Sequence, residues 1–135
     1  MSDQITALFA NEAFYAAFAS RDLEAMAVLW AEEAPVTCIH PGWKALFGRP
    51  EVLESWSSIL ANPDSPDVEF HGARATLYGA IAIVTCIEQV ENTFLAATNI
   101  FLREKGDWKL IHHQSGPGQP PDESDEDEDH PATVQ

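Results

Sequence analysis

The chain has few basic residues, and this shortage narrows the partners that it can bind. Seven lysines and arginines stand against 22 acids among 135 residues, which gives a formal net charge of -15 at pH 7. The seven bases are scattered singly along the sequence, whereas nucleic acids and anionic membranes are bound by clusters of bases. We therefore expect neither nucleic acid nor a membrane as a partner.

The chain also lacks the patterns of redox, metal and membrane proteins. Its two cysteines, Cys38 and Cys86, lie far apart in apolar stretches, without the spacing of a redox or zinc site, so we expect buried thiols. The five histidines show no metal-binding spacing, and neither a metal nor another cofactor is expected. No apolar run approaches the roughly 20 residues that span a bilayer, and no signal-peptide pattern is present. These absences favour a cytoplasmic protein.

The first half of the chain has the apolar period of helices. Apolar residues recur every three or four positions over 3–20, which predicts a first helix. Asp22 is a candidate N-cap for a second, short helix. A third helix should begin near Pro50, with Trp56 on its buried stripe.

The second half has the composition of strands. A short β-prone run at 36–39 precedes the third helix, and turn residues separate four longer runs at 68–78, 80–90, 94–103 and 108–115. Short connections between consecutive strands imply an antiparallel meander. Helices first and strands second, without alternation, predict an α+β domain whose helices cover one face of the sheet.

The composition changes sharply after Gly116. Proline, glycine and glutamine are followed by seven acids between Asp122 and Asp129, with almost nothing to bury. We therefore expect a folded domain at 1–116 and a disordered acidic tail at 117–135. A solvating tail is favoured over a binding arm for a basic partner.

Several short motifs follow one another in a specific order: RDLE at 21–24, AEEAPV at 31–36, GRPE at 48–51 and GDWKLIHH at 106–113. In this order they resemble the nuclear transport factor 2-like superfamily, and within it SnoaL-like and ketosteroid-isomerase-like bacterial proteins. The resemblance implies a cystatin-like cone, in which a strongly curved antiparallel sheet wraps three N-terminal helices around an apolar pocket. It also implies dimerisation through the outer sheet face. Members of this superfamily include isomerases, cyclases, dehydratases and proteins of no known activity, so the fold leaves function open.

The resemblance allows the isomerase residues to be checked one by one. The tyrosine that ketosteroid isomerases carry on the first helix corresponds to Phe14, which has no hydroxyl. Their general-base aspartate corresponds to Cys38 or, with a small gap, to His40. Their protonated aspartate has no counterpart, since the meander offers Glu88 and Asn99 instead. We therefore do not expect the known isomerase constellation.

His40 is the candidate catalytic base, because it begins a His-Pro-Gly-Trp loop that could hold an imidazole at the mouth of a pocket. The alternative is a histidine that only braces the turn. Adjacent residues of a strand point to opposite faces, so only one of His112 and His113 can enter the pocket, and the choice stays open. The residues assigned to the pocket are Phe14, Phe18, Trp30, Cys38, Trp43, Trp56, His112 and Gln114.

Glu88 and Asn99 are the other candidate catalytic residues. If Asn92 and Thr93 form a two-residue turn, Cys86 opposes Asn99, and Glu88 and Asn99 share one face of the hairpin. On this face they could project into the pocket, or they could form a solvated rim or a polar pair at a dimer interface. The other face is uniformly apolar and is expected to be covered; it carries Ile81, Ile83, Ile87, Phe94, Ile100 and Leu102.

The favoured interpretation is a protein with a pocket for a small apolar ligand and no assigned activity. One alternative is an isomerase, cyclase or dehydratase that acts on a carbonyl-bearing small molecule with His40 as base. The other is a non-catalytic dimeric accessory module. A homodimer is expected, because the helices can cover only one of the two sheet faces.

Overall fold

A computed structural model describes residues 2–122 of the chain. Within them lie three helices and six strands, and all of these elements except the two-residue strand β2 follow the predicted order. The helices are α1 (Asp3–Ser20), α2 (Leu23–Leu29) and α3 (Arg49–Ala61). The strands are β1 (Thr37–Ile39), β2 (Leu46–Phe47), β3 (Glu69–Tyr78), β4 (Ile81–Val90), β5 (Thr93–Glu104) and β6 (Asp107–Pro117).

Local capping fixes the ends of the first two helices. The Ser2 hydroxyl accepts from the N–H of Ile5 at 3.1 Å and starts α1. Arg21 ends α1 in the left-handed region at φ 56°, and the next residue, Asp22, accepts from the N–H of Ala25 at 3.0 Å to start α2. The predicted N-cap at Asp22 is confirmed, and the two N-caps, Ser2 and Asp22, each satisfy a backbone donor that the helix cannot.

The six strands form one mixed sheet in the order β2-β1-β6-β5-β4-β3. The prediction of a wholly antiparallel sheet needs a correction, because β1 pairs in parallel with β6. The long stretch of chain between β1 and β6 supplies the crossover that parallel pairing requires. Strand β2, with only two residues, is too short for a periodic pattern to indicate.

The hairpin between β4 and β5 has a different register from the one expected. Its turn is at Glu91 and Asn92, so Glu88 pairs with Leu95 and Val84 with Asn99. The predicted register was wrong by two positions. Because the side-chain period of a strand is two, this shift leaves every residue on its predicted face.

The helices cover the face of the sheet that carries Glu88 and Asn99, and register shifts in β3 and β6 let the sheet curl around them without closing. This arrangement confirms the predicted α+β cone. The uniformly apolar face is the outer one: Ile83, Ile87 and Ile100 lie half-buried there, and no helix within residues 2–122 covers them, so their covering stays a prediction. The core instead contains Phe14, Met26, Trp30, Trp56, Phe101 and Leu110.

The last strand extends one residue beyond the domain boundary predicted at residue 116. Pro117 belongs to β6, and the N–H of Gly118 donates to the carbonyl of Phe94 at 3.0 Å. Most of the predicted tail, 123–135, lies outside the described residues. Among residues 2–122, no helix has the length and apolar character needed to cross a membrane.

Candidate functional site

A cavity of about 540 Å³ opens between α3, the loop that follows β1, and the ends of strands β4, β5 and β6. Most of its wall is apolar. Exposed residues form the rim, among them Pro41, Trp43, Ser58, Asn62 and Thr93. Buried polar side chains form the floor, namely His40, Glu88, His113 and Ser115.

A buried chain of hydrogen bonds supports this floor. The Tyr15 hydroxyl donates to Oε2 of Glu88 at 2.6 Å, and Nδ2 of Asn99 donates to the Tyr15 hydroxyl at 3.2 Å. The same amide nitrogen donates to Oδ1 of Asn11 at 2.8 Å. Oδ1 of Asn99 lies 2.5 Å from Nδ1 of His113. Helix α1 and strands β4, β5 and β6 are therefore joined by one polar network.

This network determines which nitrogen of His113 carries the proton. Since both amide protons of Asn99 point to oxygen, its Oδ1 is the acceptor and Nδ1 of His113 is the donor. Nε2 of His113 then has a free lone pair and lies 4.0 Å from Oε2 of Glu88. This separation is too long for a direct hydrogen bond, so both groups remain available to a polar atom of a ligand.

Burial shifts the pKa values of His113 and Glu88 in the directions that favour their uncharged forms. It lowers the pKa of His113 to about 3, with smaller contributions from His40 and His112, so the imidazole is uncharged at pH 7. Burial also raises the pKa of Glu88, more than the Tyr15 hydrogen bond and the nearby Ser115 hydroxyl lower it. The pair therefore combines a proton acceptor with a carboxyl group biased towards its protonated form.

Tyr15 is a member of this polar network that the sequence analysis did not single out. The resemblance to ketosteroid isomerases places the tyrosine of the first helix at Phe14, which has no hydroxyl. Phe14 is instead a fully buried core residue, and the neighbouring Tyr15 supplies the hydroxyl. Burial, together with Cys86 and Glu88, raises the pKa of Tyr15 well above its usual value, so it stays a donor. The sequence feature that could have indicated Tyr15 is Asn11, a polar residue four positions earlier on the apolar stripe of the helix.

His40 lines the cavity but is also bound to α3. Its Nε2 lies 2.9 Å from the Ser55 hydroxyl, which itself donates to the carbonyl of Val52 at 2.6 Å. Nε2 of His40 is therefore the donor. Its ring packs edge-on against Trp43 and Trp56, each 4.8 Å away between ring centroids. Burial lowers the pKa of His40 to about 4, so this imidazole is also neutral at pH 7.

The other residues assigned to the pocket fall into three groups. Phe18 and Trp43 line the cavity, whereas Phe14, Cys38 and Trp56 belong to the buried core. Burial raises the pKa of the Cys38 thiol to about 12, which makes it a poor nucleophile. Trp30 is buried beside Leu110 and does not line this cavity.

His112 and Gln114 do not line this cavity. Strand alternation turns His113 and Ser115 towards the cavity and puts His112 and Gln114 on the outer face. There, Nδ1 of His112 lies 2.6 Å from the Thr37 hydroxyl. Within residues 2–122, no three side chains of histidine, cysteine, aspartate or glutamate converge in a way that could hold a metal ion.

The helix-filled cone and its cavity define a protein of the nuclear transport factor 2-like class. A profile of the SnoaL-like domain matches residues 8–118, so the chain belongs to the SnoaL-like family. A candidate dehydratase of the nuclear transport factor 2-like family from Streptomyces avermitilis is 33% identical, with 87% of this chain and 97% of that chain covered and a TM-score of 0.78.

Two further relatives extend the comparison. A candidate calcium/calmodulin-dependent protein kinase type II association domain from Thiobacillus denitrificans is 28% identical, with 82% of this chain and 93% of that chain covered and a TM-score of 0.72. The F-box protein SKIP8 of Arabidopsis thaliana is 31% identical over 107 residues, or 78% of this chain. The match spans 46% of that plant protein, less than half of its length.

Proposed function

We propose that the cavity binds a small, mostly apolar molecule through a single carbonyl or hydroxyl oxygen. One observation carries the proposal: a largely apolar wall ends in two buried polar groups, Glu88 and His113, whose facing atoms are 4.0 Å apart. Pockets of this kind take their affinity from apolar contact and their orientation from a few polar groups. A ligand oxygen between these groups could accept from the carboxyl group, and a hydroxyl could also donate to Nε2 of His113.

Binding can be tested with N-phenylnaphthylamine, an uncharged probe whose fluorescence rises in apolar surroundings. We expect saturable binding to the native chain. Ser58→Trp should abolish it, because Ser58 lies exposed on the cavity wall and an indole there would fill the mouth. Glu54→Trp is the matched control, since Glu54 is exposed on the same helix and does not line the cavity. Equal binding by both variants would show that the probe binds elsewhere.

A second candidate function is dehydration of a β-hydroxyketone, favoured by the pairing of a carboxyl group whose pKa is raised by burial with a free imidazole lone pair. Nε2 of His113 would remove the proton alpha to the carbonyl, while the Glu88 carboxyl protonates the departing hydroxyl. The products are water and an α,β-unsaturated ketone. A proton then returns from His113 to Glu88, which restores both groups. The similarity to a candidate dehydratase at 33% identity supports this reaction class.

The low basicity of His113 makes the two proton transfers interdependent. An imidazole with a pKa of about 3 is a weak base on its own. When Glu88 gives its proton to the leaving group, however, a carboxylate forms 4.0 Å from the imidazolium and stabilises it. We therefore expect neither residue to work without the other. His40, the base proposed from sequence, would have to act through Nδ1, because Nε2 is bound to Ser55.

The reaction can be tested with the aldol adduct of acetone and benzaldehyde, whose dehydration product absorbs strongly in the ultraviolet. Glu88→Gln and His113→Gln should each lower the rate by about 10²–10⁴-fold, and the double variant should be no slower than either. His40→Gln is the matched control and should keep most of the rate. A loss confined to His40→Gln would instead assign the base to His40. Binding without turnover by the native chain would favour the non-catalytic accessory function.

We also infer a homodimer formed through the outer sheet face. Half-buried isoleucines on this face remain uncovered by any described element, and contiguous apolar patches of this kind mark interaction surfaces. The likeness to a protein called an association domain supports assembly. We also propose a cytoplasmic location, because Cys38 and Cys86 are buried and are not joined by a disulfide.

A further inference from the structure

The hydroxyl of Ser115 is a polar group on the cavity floor that the proposed dehydration leaves unused. We propose that Ser115 is a further catalytic residue, whose hydroxyl donates a hydrogen bond to the ketone oxygen of a β-hydroxyketone. This inference rests on the proposed function, which gives roles to Glu88 and His113 but leaves the ketone oxygen without a donor. The site would then hold two oxygens of one substrate, the departing hydroxyl at Glu88 and the ketone at Ser115.

The first argument is that the Ser115 hydroxyl has no partner in the protein. Ser115 is 4% exposed and lines the cavity. Its Oγ lies near the carboxyl of Glu88, yet it forms no hydrogen bond of normal geometry with any group in residues 2–122. A buried hydroxyl without a partner is costly, and most buried polar groups are paired. Because nothing holds this hydroxyl, it can rotate towards a ligand oxygen without losing another hydrogen bond.

The second argument is the position that strand pairing gives to Ser115. It lies opposite Ala97 of β5, which lies opposite Cys86 of β4, so these three residues form one row across the inner face. His113 belongs to the neighbouring row on one side and Glu88 to the neighbouring row on the other. Rows on one face are about 7 Å apart. Since Oε2 of Glu88 comes within 4.0 Å of Nε2 of His113, the two side chains meet over the row that holds Ser115.

The chemistry of the dehydration favours a donor at this position. When Nε2 of His113 removes the proton alpha to the carbonyl, the electron pair of that C–H bond moves towards the ketone oxygen and gives it negative charge. The pair returns to form the carbon–carbon double bond as the C–O bond to the hydroxyl breaks, and Glu88 supplies the proton of the released water. A donor already in place beside the ketone oxygen stabilises this charge. Ser115 keeps its own proton throughout.

Binding separates this role from a structural one. The aldol adduct of acetone and benzaldehyde carries both oxygens, and α-propylbenzyl alcohol has the same carbon skeleton without the ketone oxygen. Displacement of N-phenylnaphthylamine, read before product absorbance appears, measures both affinities on the full chain. Ser115→Ala should weaken binding of the adduct about two- to tenfold, the effect of one neutral hydrogen bond, and leave the alcohol unchanged. An equal loss for both ligands, or no loss for either, would overturn the inference.

Turnover and stability test the same variant. Ser115→Ala should lower kcat for the adduct about 10²–10³-fold, the usual effect of removing an oxyanion donor. Ser115→Thr keeps a hydroxyl and should be faster than Ser115→Ala. Ser57→Ala is the matched control, since Ser57 lies on α3 and does not line the cavity. The urea midpoint of Ser115→Ala should equal or exceed that of the native chain, because the variant loses an unpaired buried group.

Failure of this inference differs from failure of the proposed function. A native kcat in Ser115→Ala, together with the expected losses in Glu88→Gln and His113→Gln, would overturn the role of Ser115 alone. A lower urea midpoint with native kcat would show that the hydroxyl is structural. A native chain that neither binds nor converts the adduct would remove the proposed function, and the role of Ser115 with it.

Discussion

The two faces of the sheet contradict the usual association of apolar with buried. The inner face, which the helices cover, carries Glu88, Asn99 and His113 among its fully buried side chains. The outer face carries half-buried residues such as Ile83 and Ile100 and has no covering element within residues 2–122. A prediction based on apolar content alone would have placed the outer face in the core and the inner face in solvent.

The inner face tolerates polar residues because nearly every group in its network has a partner. Asn99 makes three hydrogen bonds, and the carboxyl of Glu88 accepts one from Tyr15. A buried polar group that is paired costs little, whereas an unpaired one costs about 1–3 kcal/mol. The outer face needs no such network, because its side chains are mostly apolar and it is the proposed surface for a second copy of the chain. The inner face thus carries the candidate chemistry, and the outer face the candidate assembly.

The largest effect should come from the packing between the helices and the inner face. Trp56→Ala should lower the free energy of unfolding by about 3–5 kcal/mol, because the fully buried indole packs against Phe14, Phe18 and His40. Urea denaturation measures the change, and Leu53→Ala, at a half-buried position of the same helix, should cost less. A nearly neutral Trp56→Ala would mean that this face is not the core.

The second-largest effect should be a fall in the free energy of unfolding at acidic pH, caused by the buried histidines of the inner face. The pKa values of His40 and His113 are lowered to about 4 and about 3, below the value of about 6.5 in the unfolded chain. Below pH 6.5 the unfolded state binds more protons, so the free energy of unfolding falls as pH falls. Each histidine should remove about 2 kcal/mol at pH 5. The raised pKa of Glu88 acts in the opposite sense, since its contribution is lost as pH rises.

Urea denaturation at pH 7, 6 and 5 measures this loss. In His40→Gln, the loss of unfolding free energy between pH 7 and pH 5 should be smaller by the contribution of one histidine, because glutamine does not titrate. A stability that stays constant down to pH 5 would show that the imidazoles are hydrated or already charged in the folded state, and the polar network of the inner face would need another proton assignment.

The network itself should be worth less than the packing. Tyr15→Phe removes the donor to Glu88 and the acceptor for Asn99, which should cost about 1–3 kcal/mol. Tyr78→Phe is the matched control, since Tyr78 is 61% exposed on β3 and should be neutral. If both variants have native stability by urea denaturation, the hydroxyl of Tyr15 does not hold the floor of the cavity.

The outer face should respond in assembly rather than in stability. Ile83→Lys should change the free energy of unfolding of the monomer by about 0.5 kcal/mol or less, yet convert a dimer of twice 14.9 kDa into a monomer. Light scattering on a sizing column measures the mass. Val28→Lys, at an apolar position 61% exposed on α2, is the control and should leave the dimer intact. A native chain that is monomeric at micromolar concentration would contradict the proposed role of this face.

Several features of the fold could be predicted from the sequence because they depend on neighbouring residues. The change from helical to strand period predicted the order of the longer elements, and Asp22 predicted the start of α2. Glu88 and Asn99 share a face even though the predicted hairpin register was wrong, because a shift of two positions preserves alternation.

The tertiary structure alone decided which face is covered and which side chains meet. The alternation of side chains along a strand implies that His112 and His113 point in opposite directions. Only the packing of α1 and α3 on the sheet decides that His113 is the one that lines the cavity. Likewise, Tyr15 and Glu88 are 73 positions apart, and no local pattern indicates that they are bonded. Periodicity is set by the backbone within one element, whereas the choice of the buried face depends on the free energy of the whole packed domain. The sequence therefore determined the elements, and long-range packing determined the site.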